Sequence, residues 1–222
     1  MSEWWTYRPE DFLLFSPRVY WRLFELHNAA LWPLHVVTLA AGLVIMLLIA
    51  RQPKVWTRWV PLILALLWMF VGWSFLWNRY ATINWAASYI APTFIFEGAL
   101  LLIASATNAL SFDERRPADG IGYLMLGFAL VGLPLLAPLQ GRGWASSEVF
   151  GIAPDPTVMA TIGVLLLARG RLVTWLWPIP VLWCLLSGVT VQTMGEPQAI
   201  APYAVLMLAA TASISRMLNQ AR

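Results

Sequence analysis

Cysteine occurs once in the 222 residues, at Cys184. That excludes an intrachain disulfide, a CxxC motif and a zinc site. Lysine also occurs once, at Lys54, in a loop, so no span carries the amine that a retinal Schiff base needs. Histidine occurs twice. His27 and His35 fall near the same membrane face and can build neither a His-rich di-iron site nor a paired axial haem site. GxSxG, HExxH and a phosphate-cradling glycine loop are missing. No enzyme, metal or cofactor is therefore expected. Charge is scarce as well: 11% of residues are charged, against about 25% in a soluble domain. The net charge is +3 and no Lys/Arg cluster resembles a nucleic-acid groove, so nucleic acid is not an expected partner.

What is present is apolar. Hydrophobic residues make up 60% of the chain, too many for the polar surface left to cover, so lipid must serve as part of the solvent. Seven apolar segments follow one another: Ala29–Ala50, Val60–Trp77, Trp85–Thr107, Gly120–Pro138, Pro156–Ala168, Leu172–Val191 and Ile200–Ile214. A span needs about 20 residues. The pattern predicts an all-α polytopic membrane helix bundle, one transmembrane domain over residues 29–222, with seven spans, or six if the fifth only dips in. Residues 1–28 precede it. Within them SPRVYWRLFELHN predicts an amphipathic helix lying in the interface. Ser16 suits its cap and Pro17 its first turn. Tyr20, Leu23, Phe24 and His27 share one face, and Arg18, Arg22 and Glu25 another. The start, MSEWWTYRPEDF, has no basic n-region, so no cleaved signal peptide is expected.

Orientation follows from basic residues. With seven spans one side carries Arg51, Lys54, Arg58, Arg115, Arg116, Arg169, Arg171, Arg216 and Arg222; the other carries Arg8, Arg18, Arg22, Arg79 and Arg142. The positive-inside rule then places the N-terminus outside and the C-terminus inside, on the cytoplasmic face. Trp32, Trp77, Trp85 and Trp144 at the outer ends, with Trp56, Trp59, Trp175 and Trp177 at the inner ends, form the two aromatic belts.

The fifth span is the anomaly. Thirteen residues reach about 20 Å of a core about 30 Å thick. The connection QGRGWASSEVFGIAPDP before it is broken by glycine and proline, and its Val149–Ala153 is apolar. We expect this connection to fold into the outer half of the bundle, so that the helix starts beneath the surface. Irregular backbone at such depth is tolerated only where protein or a wet cavity satisfies it. Spans 1–3 and 5–7 also share an order of proline, glycine, basic loop and Leu-Trp, which sketches a parallel three-plus-one-plus-three repeat.

Four stretches, LHNAALWPLHVV (26–37), LLWMFVGWSFLWNRYATINWAA (66–87), FGIAPDPTVMATIGVLLL (150–167) and VLWCLLSG (181–188), resemble the uncharacterised bacterial membrane family designated domain of unknown function 6064. The resemblance covers most of the chain and implies the membrane fold, but no activity. Members of that family often carry cysteine at the proline-bracketed position that is Asp155 here. The departure argues against a thiol or metal role at that position.

The candidate site is the polar set on the outward side: Asn78, Asn84, Arg142, Glu148, Asp155, Thr157 and Gln192, together with Glu97 inside span 3. Asp155 suits an N-cap with Pro156 following, and Arg142 and Glu148 are placed to close the site from above. Gln140, Arg79 and Glu196 are nearby in sequence. Glu97 is either a protonated carboxyl bonded to a neighbouring helix or a residue lining a pathway; either way it should face the bundle and meet a polar partner. Trp68 and Trp183, near mid-span, need acceptors for their indole N–H groups. Gly72 and Gly188 allow close helix contact. Together these features suggest a small transporter or channel-like protein with an outward-facing polar site for a small solute or ion. The alternative is a non-catalytic subunit or assembly partner of a larger membrane complex. Lipid is an expected partner in both cases; a membrane protein partner or a homo-oligomer suits the second.

Overall fold

The computed structural model describes residues 15–51, 56–112 and 119–220, without the side chains of 216–220. Helix α1 (Pro17–Leu31) begins where Ser16 Oγ accepts the Val19 N–H at 3.4 Å, with Pro17 at the first helical position. Helices α2 (Leu34–Arg51), α3 (Trp59–Val71) and α4 (Ala87–Ala106) follow. Helix α3 continues as a π-helical turn over Gly72–Trp77. Helix α5 (Asp119–Gly127) passes through a second π-helical stretch, Phe128–Gly132, into α6 (Leu133–Leu139). Helices α7 (Pro154–Leu167), α8 (Pro178–Thr193) and α9 (Ile200–Gln220) complete the order. Among the described residues there is no strand, only two isolated bridges. Six continuous runs are long and apolar enough to cross a membrane: Leu34–Arg51, Trp59–Thr82, Ala87–Ala106, Asp119–Leu139, Val173–Thr193 and Pro197–Ser215.

The seventh apolar segment, α7, forms the core of the bundle. Its 14 residues advance about 21 Å, short of a full crossing, and every one of them is buried. It packs against α3, α5, α8 and α9. Its C-terminus is fixed at the end of the bundle opposite α1. There Arg169 Nη1 donates to the carbonyls of Leu167 at 2.9 Å and Ala168 at 2.8 Å, and Nη2 donates to Asp119 Oδ1 at 3.2 Å. Ser111 and Arg169 also exchange backbone hydrogen bonds. The missing length therefore falls on the α1 side, and the connection before α7 fills it. Ser146 through Ala153 are all buried. Phe150 meets the Gly42 position in the middle of α2, and Gly151 packs against Thr38 and Leu67. Gly151 has φ +74°, and a Cβ there would stand 2.8 Å from Leu67, so both conformation and space call for glycine. The expected descent of this segment is what the fold contains; the fifth segment is neither a full span nor a surface loop.

Glycine sets the tightest helix pair. A Cβ at Gly122 of α5 or at Gly163 of α7 would lie 2.8 Å from the carbonyl oxygen of the other. Gly72 and Gly188 serve as expected: the first abuts Phe94 and the Ala91 carbonyl on α4, the second the Tyr203 ring on α9.

Helix α1 lies across the bundle rather than through it. Its buried face is Tyr20, Trp21, Leu23, Phe24, His27 and Asn28, while Arg18 and Arg22 are exposed. Tyr20, Phe24, Phe75 and Tyr80 form one aromatic contact joining α1 to the end of α3, with Phe24 and Phe75 centroids 4.8 Å apart. The belt tryptophans Trp32, Trp77, Trp85 and Trp144 on the α1 side, and Trp56, Trp59 and Trp175 on the other, are exposed. The basic positions Arg8, Lys54, Arg115, Arg116 and Arg222 lie outside the described residues, as does the Arg216 side chain. The two halves of the sketched repeat differ in their first members: α2 buries only Thr38, Gly42, Ile45 and Ile49, whereas α7 is wholly buried.

Candidate functional site

The start of α7 carries the chemistry. Its cap residue is Ala153, and the helix begins at Pro154, so Asp155 sits inside the first turn. The N-cap role expected of Asp155 is thus corrected. With two prolines occupying the first turn, few N–H groups remain there for a carboxylate to accept, and the Asp155 side chain turns sideways to α8 instead. Its Oδ1 accepts the Trp183 Nε1–H at 2.7 Å and its Oδ2 accepts the Ser187 hydroxyl at 2.6 Å. Trp183 and Ser187 lie four residues apart on one face of α8, which is why they meet the same carboxylate.

Thr157 organises the turn below. Its Oγ1 donates to the Ala153 carbonyl at 2.7 Å and accepts the Gly151 N–H at 2.9 Å. Thr161 repeats the pattern: it donates to the Thr157 carbonyl and accepts the Trp68 indole N–H, both at 2.8 Å. Both mid-span tryptophans therefore donate to α7, and Phe94 lies between their rings, 4.4 Å from Trp68 and 5.0 Å from Trp183. Two buried indoles that each find an oxygen fix the rotation of α7 against α3 and α8.

Above Asp155, under α1, lies a charged group. Glu148 is buried, and although the Gln198 amide approaches its carboxyl, neither oxygen is met in good hydrogen-bond geometry. Arg142 places its guanidinium carbon 3.4 Å from the centroid of the Trp21 ring. Its Nη2 donates to Gln140 Oε1 at 2.9 Å and to Gln198 Oε1, while its Nε and Nη1 have no partner. Tyr20 and Glu148 each lie within electrostatic reach of Arg142 and Asp155, without an ion pair between Arg142 and Glu148. Burial pushes the Glu148 carboxyl well above the usual carboxylate range, the Asp155 charge adds to this, and Arg142 and the Gln198 amide oppose it. Burial likewise raises the Tyr20 phenol, and lowers His27 to about 4, with Arg79 contributing. Asn28 closes the roof: its Nδ2 donates to the carbonyls of Ala145 and Ser147, both at 2.8 Å, and its Oδ1 pairs with His35 Nε2 at 3.1 Å.

Of the residues expected at the site, the fold gathers Arg142, Glu148, Asp155 and Thr157. It leaves out Asn78 and Gln192, which are exposed, Gln192 accepting the Tyr203 hydroxyl at 2.9 Å. Asn84 donates to the Tyr80 hydroxyl at 3.2 Å, at the margin. Glu97 faces the bundle, as expected, with no exposed surface, but the expected polar partner is not there: neither carboxyl oxygen makes a hydrogen bond. The facing α3 surface supplies Ala65 and Met69 around the neighbouring Gly98, and neither side chain can donate. Gln198, Asn28, Ser187 and Trp21 were not foreseen at the site. For Ser187 the four-residue spacing from Trp183 is a signal that could have found it; Gln198 and Asn28 are brought in from distant loops and α1.

A short, buried central helix among six crossing-length apolar helices, with a roofed polar cluster at its start, defines a multi-pass helical membrane protein. The chain belongs to the family described as "Family of unknown function (DUF6064)", whose profile matches residues 17–222, the family that the four quoted stretches resemble. No curated protein and no solved structure matches it.

Proposed function

We propose that the protein is a small transporter of the bacterial inner membrane, which handles a small polar solute or ion at the cluster of Asp155, Glu148, Arg142 and Gln198. The observation that carries this is the Arg142–Glu148 neighbourhood: four charged-group atoms buried with no hydrogen bond to satisfy them. Such atoms cost about 1–3 kcal/mol each and persist where something else completes them. The interrupted geometry supports the same function, since helices that begin within the membrane carry free N–H groups and mark transporter sites. The excess of basic residues on the side opposite α1 supports a periplasmic N-terminus and a cytoplasmic C-terminus. No catalytic role is part of this proposal.

The test is access. In a Cys184→Ala background, Gln198→Cys should react with a membrane-impermeant maleimide applied to the α1 side of sealed vesicles, at a rate that changes with membrane potential. Inertness under all conditions would sink the proposal. It would select the alternative of a non-catalytic subunit, which one observation favours: Asp155 already has both oxygens bonded and α1 already covers the cluster. A stoichiometric protein partner retained through purification from native membranes would support that alternative.

A further inference from the structure

The cluster under α1 is out of balance in charge. Glu148 is faced by one cation and one further carboxyl group: Arg142 from its own connection and Asp155 from the first turn of α7. The Gln198 amide reaches it from the turn before α9, and Tyr20 from α1. The remaining neighbours add no positive charge. Helix α6, which packs on the same connection, carries no titratable residue. On α1, Arg18 and Arg22 are exposed, and Arg22 is paired with Glu25. His27 is neutral above about pH 4. Glu196, within reach of Arg142, adds negative charge at the margin. An ionised Glu148 would therefore bring two buried carboxylates to one guanidinium. An uncompensated buried charge is costly, and such a group takes up a proton instead.

Hydrogen bonds decide which carboxyl takes it. Both oxygens of Asp155 accept, from the Trp183 indole N–H at 2.7 Å and the Ser187 hydroxyl at 2.6 Å, and donors aimed at a carboxylate favour its charged form. Neither oxygen of Glu148 is met in good geometry, and the residue is 2% exposed. Two neighbouring carboxyls in such unlike surroundings divide into one ionised and one neutral. Arg142 does not reverse this: its Nη2 is directed to Gln140 and Gln198, and its guanidinium lies over the Trp21 ring. A proton also needs no room of its own in a connection where residues 146–153 are all buried. Among the described residues no group of three or more His, Cys, Asp or Glu side chains is placed to hold a metal ion.

We infer that Glu148 is a proton-binding site: with α1 closed over the cluster its carboxyl holds one proton, and wetting of the cluster from the α1 side releases it. On release the O–H bond breaks, the proton passes to water and the carboxylate keeps the electron pair. Gln198 accepts from Arg142 while its amide approaches Glu148, so one side chain links the charge on Glu148 to the position of Arg142. A solute that opens the cluster then moves with a proton. That coupling rests on the transport reading above, whereas proton binding does not.

Infrared spectroscopy of the full-length protein in lipid tests it. A protonated carboxyl has a carbonyl band that carboxylates lack, and heavy carbon in the glutamate carboxyls separates their band from that of aspartate. Glu97 is buried too and would contribute its own band, so the measurement is made with Glu97→Gln. Ordinary glutamates are ionised at pH 7. One labelled band should remain at that pH, and Glu148→Gln should remove it. Asp155→Asn should lower the pH at which the band disappears, and Arg142→Gln should raise it. Absence of the band from the Glu97→Gln protein would overturn the proton site, even should Glu148→Gln fail to fold. A band that survives Glu148→Gln, or a disappearance pH that neither neighbour moves, would overturn it as well. Maleimide labelling of Gln198→Cys reads access separately. A band without labelling leaves the proton site standing and removes transport; labelling without a band does the reverse.

Discussion

Replacing Asp155 with alanine separates two roles for this residue. As a helix cap it would contribute about 1 kcal/mol. In the fold it instead accepts from Trp183 at 2.7 Å and Ser187 at 2.6 Å, and all three residues are buried. Asp155→Ala strands both donors. A buried donor without its acceptor costs about 1–3 kcal/mol, so the loss from two such donors should be about 2–6 kcal/mol. The assay is reversible unfolding of the purified protein in mixed micelles with rising dodecyl sulfate, followed by tryptophan fluorescence. A double-mutant cycle adds the decisive number. Ser187→Ala alone should cost about 1–3 kcal/mol, but almost nothing once Asp155 is already alanine, giving a coupling energy above about 1 kcal/mol. A single-variant loss near 1 kcal/mol, with additive behaviour in the cycle, would refute the assignment and restore the cap.

Glu97→Met should be neutral or stabilising by about 1–3 kcal/mol, since the carboxyl has no partner to lose and its burial is costly; a clear loss in the same unfolding assay would reveal a partner. Gly163→Ala should cost about 1–3 kcal/mol through overpacking, because the new methyl would stand 2.8 Å from the Gly122 carbonyl; an unchanged midpoint would show that α5 and α7 can part. His27 should make stability acid-sensitive. Its pKa falls from 6.5 unfolded to about 4 folded, so the unfolded state binds more protons between those values and stability declines as pH drops from 6.5 toward 4, by up to about 3 kcal/mol. His27→Phe should flatten that slope, which unfolding midpoints at pH 7 and pH 5 would report. A C-terminal reporter that is active only in the cytoplasm should be active; activity of a periplasm-specific reporter there would overturn the orientation.

The sequence by itself determined the class of this protein and the number of its apolar segments. Segment length and hydropathy are local quantities, and the bilayer imposes one thickness on all of them. It also pointed to the connection before α7 entering the bundle, because a 13-residue apolar segment cannot reach across without help; of the expected 140–156 the fold buries the part from Ser146 onward and leaves 141 and 143–145 exposed. The α1 face was equally legible, since Tyr20, Leu23, Phe24 and His27 recur at helical spacing. Only the tertiary structure decided which polar groups meet. Asp155 reads as a cap because Asp-Pro starts helices; it bonds α8 because Trp183 and Ser187 arrive from 28 and 32 residues away with the donors it lacks locally. Glu97 was placed correctly toward the bundle, but the absence of a partner depends on α3 presenting carbon atoms at that depth, which no spacing within α4 records. Gln198 and Asn28 joined the site, and Asn78 and Gln192 did not, because loops at one end of a bundle can approach one another in many ways. Which of them converge is set by how six helices tilt around α7, and that is decided by contacts such as Gly122 against Gly163, 41 residues apart in the chain.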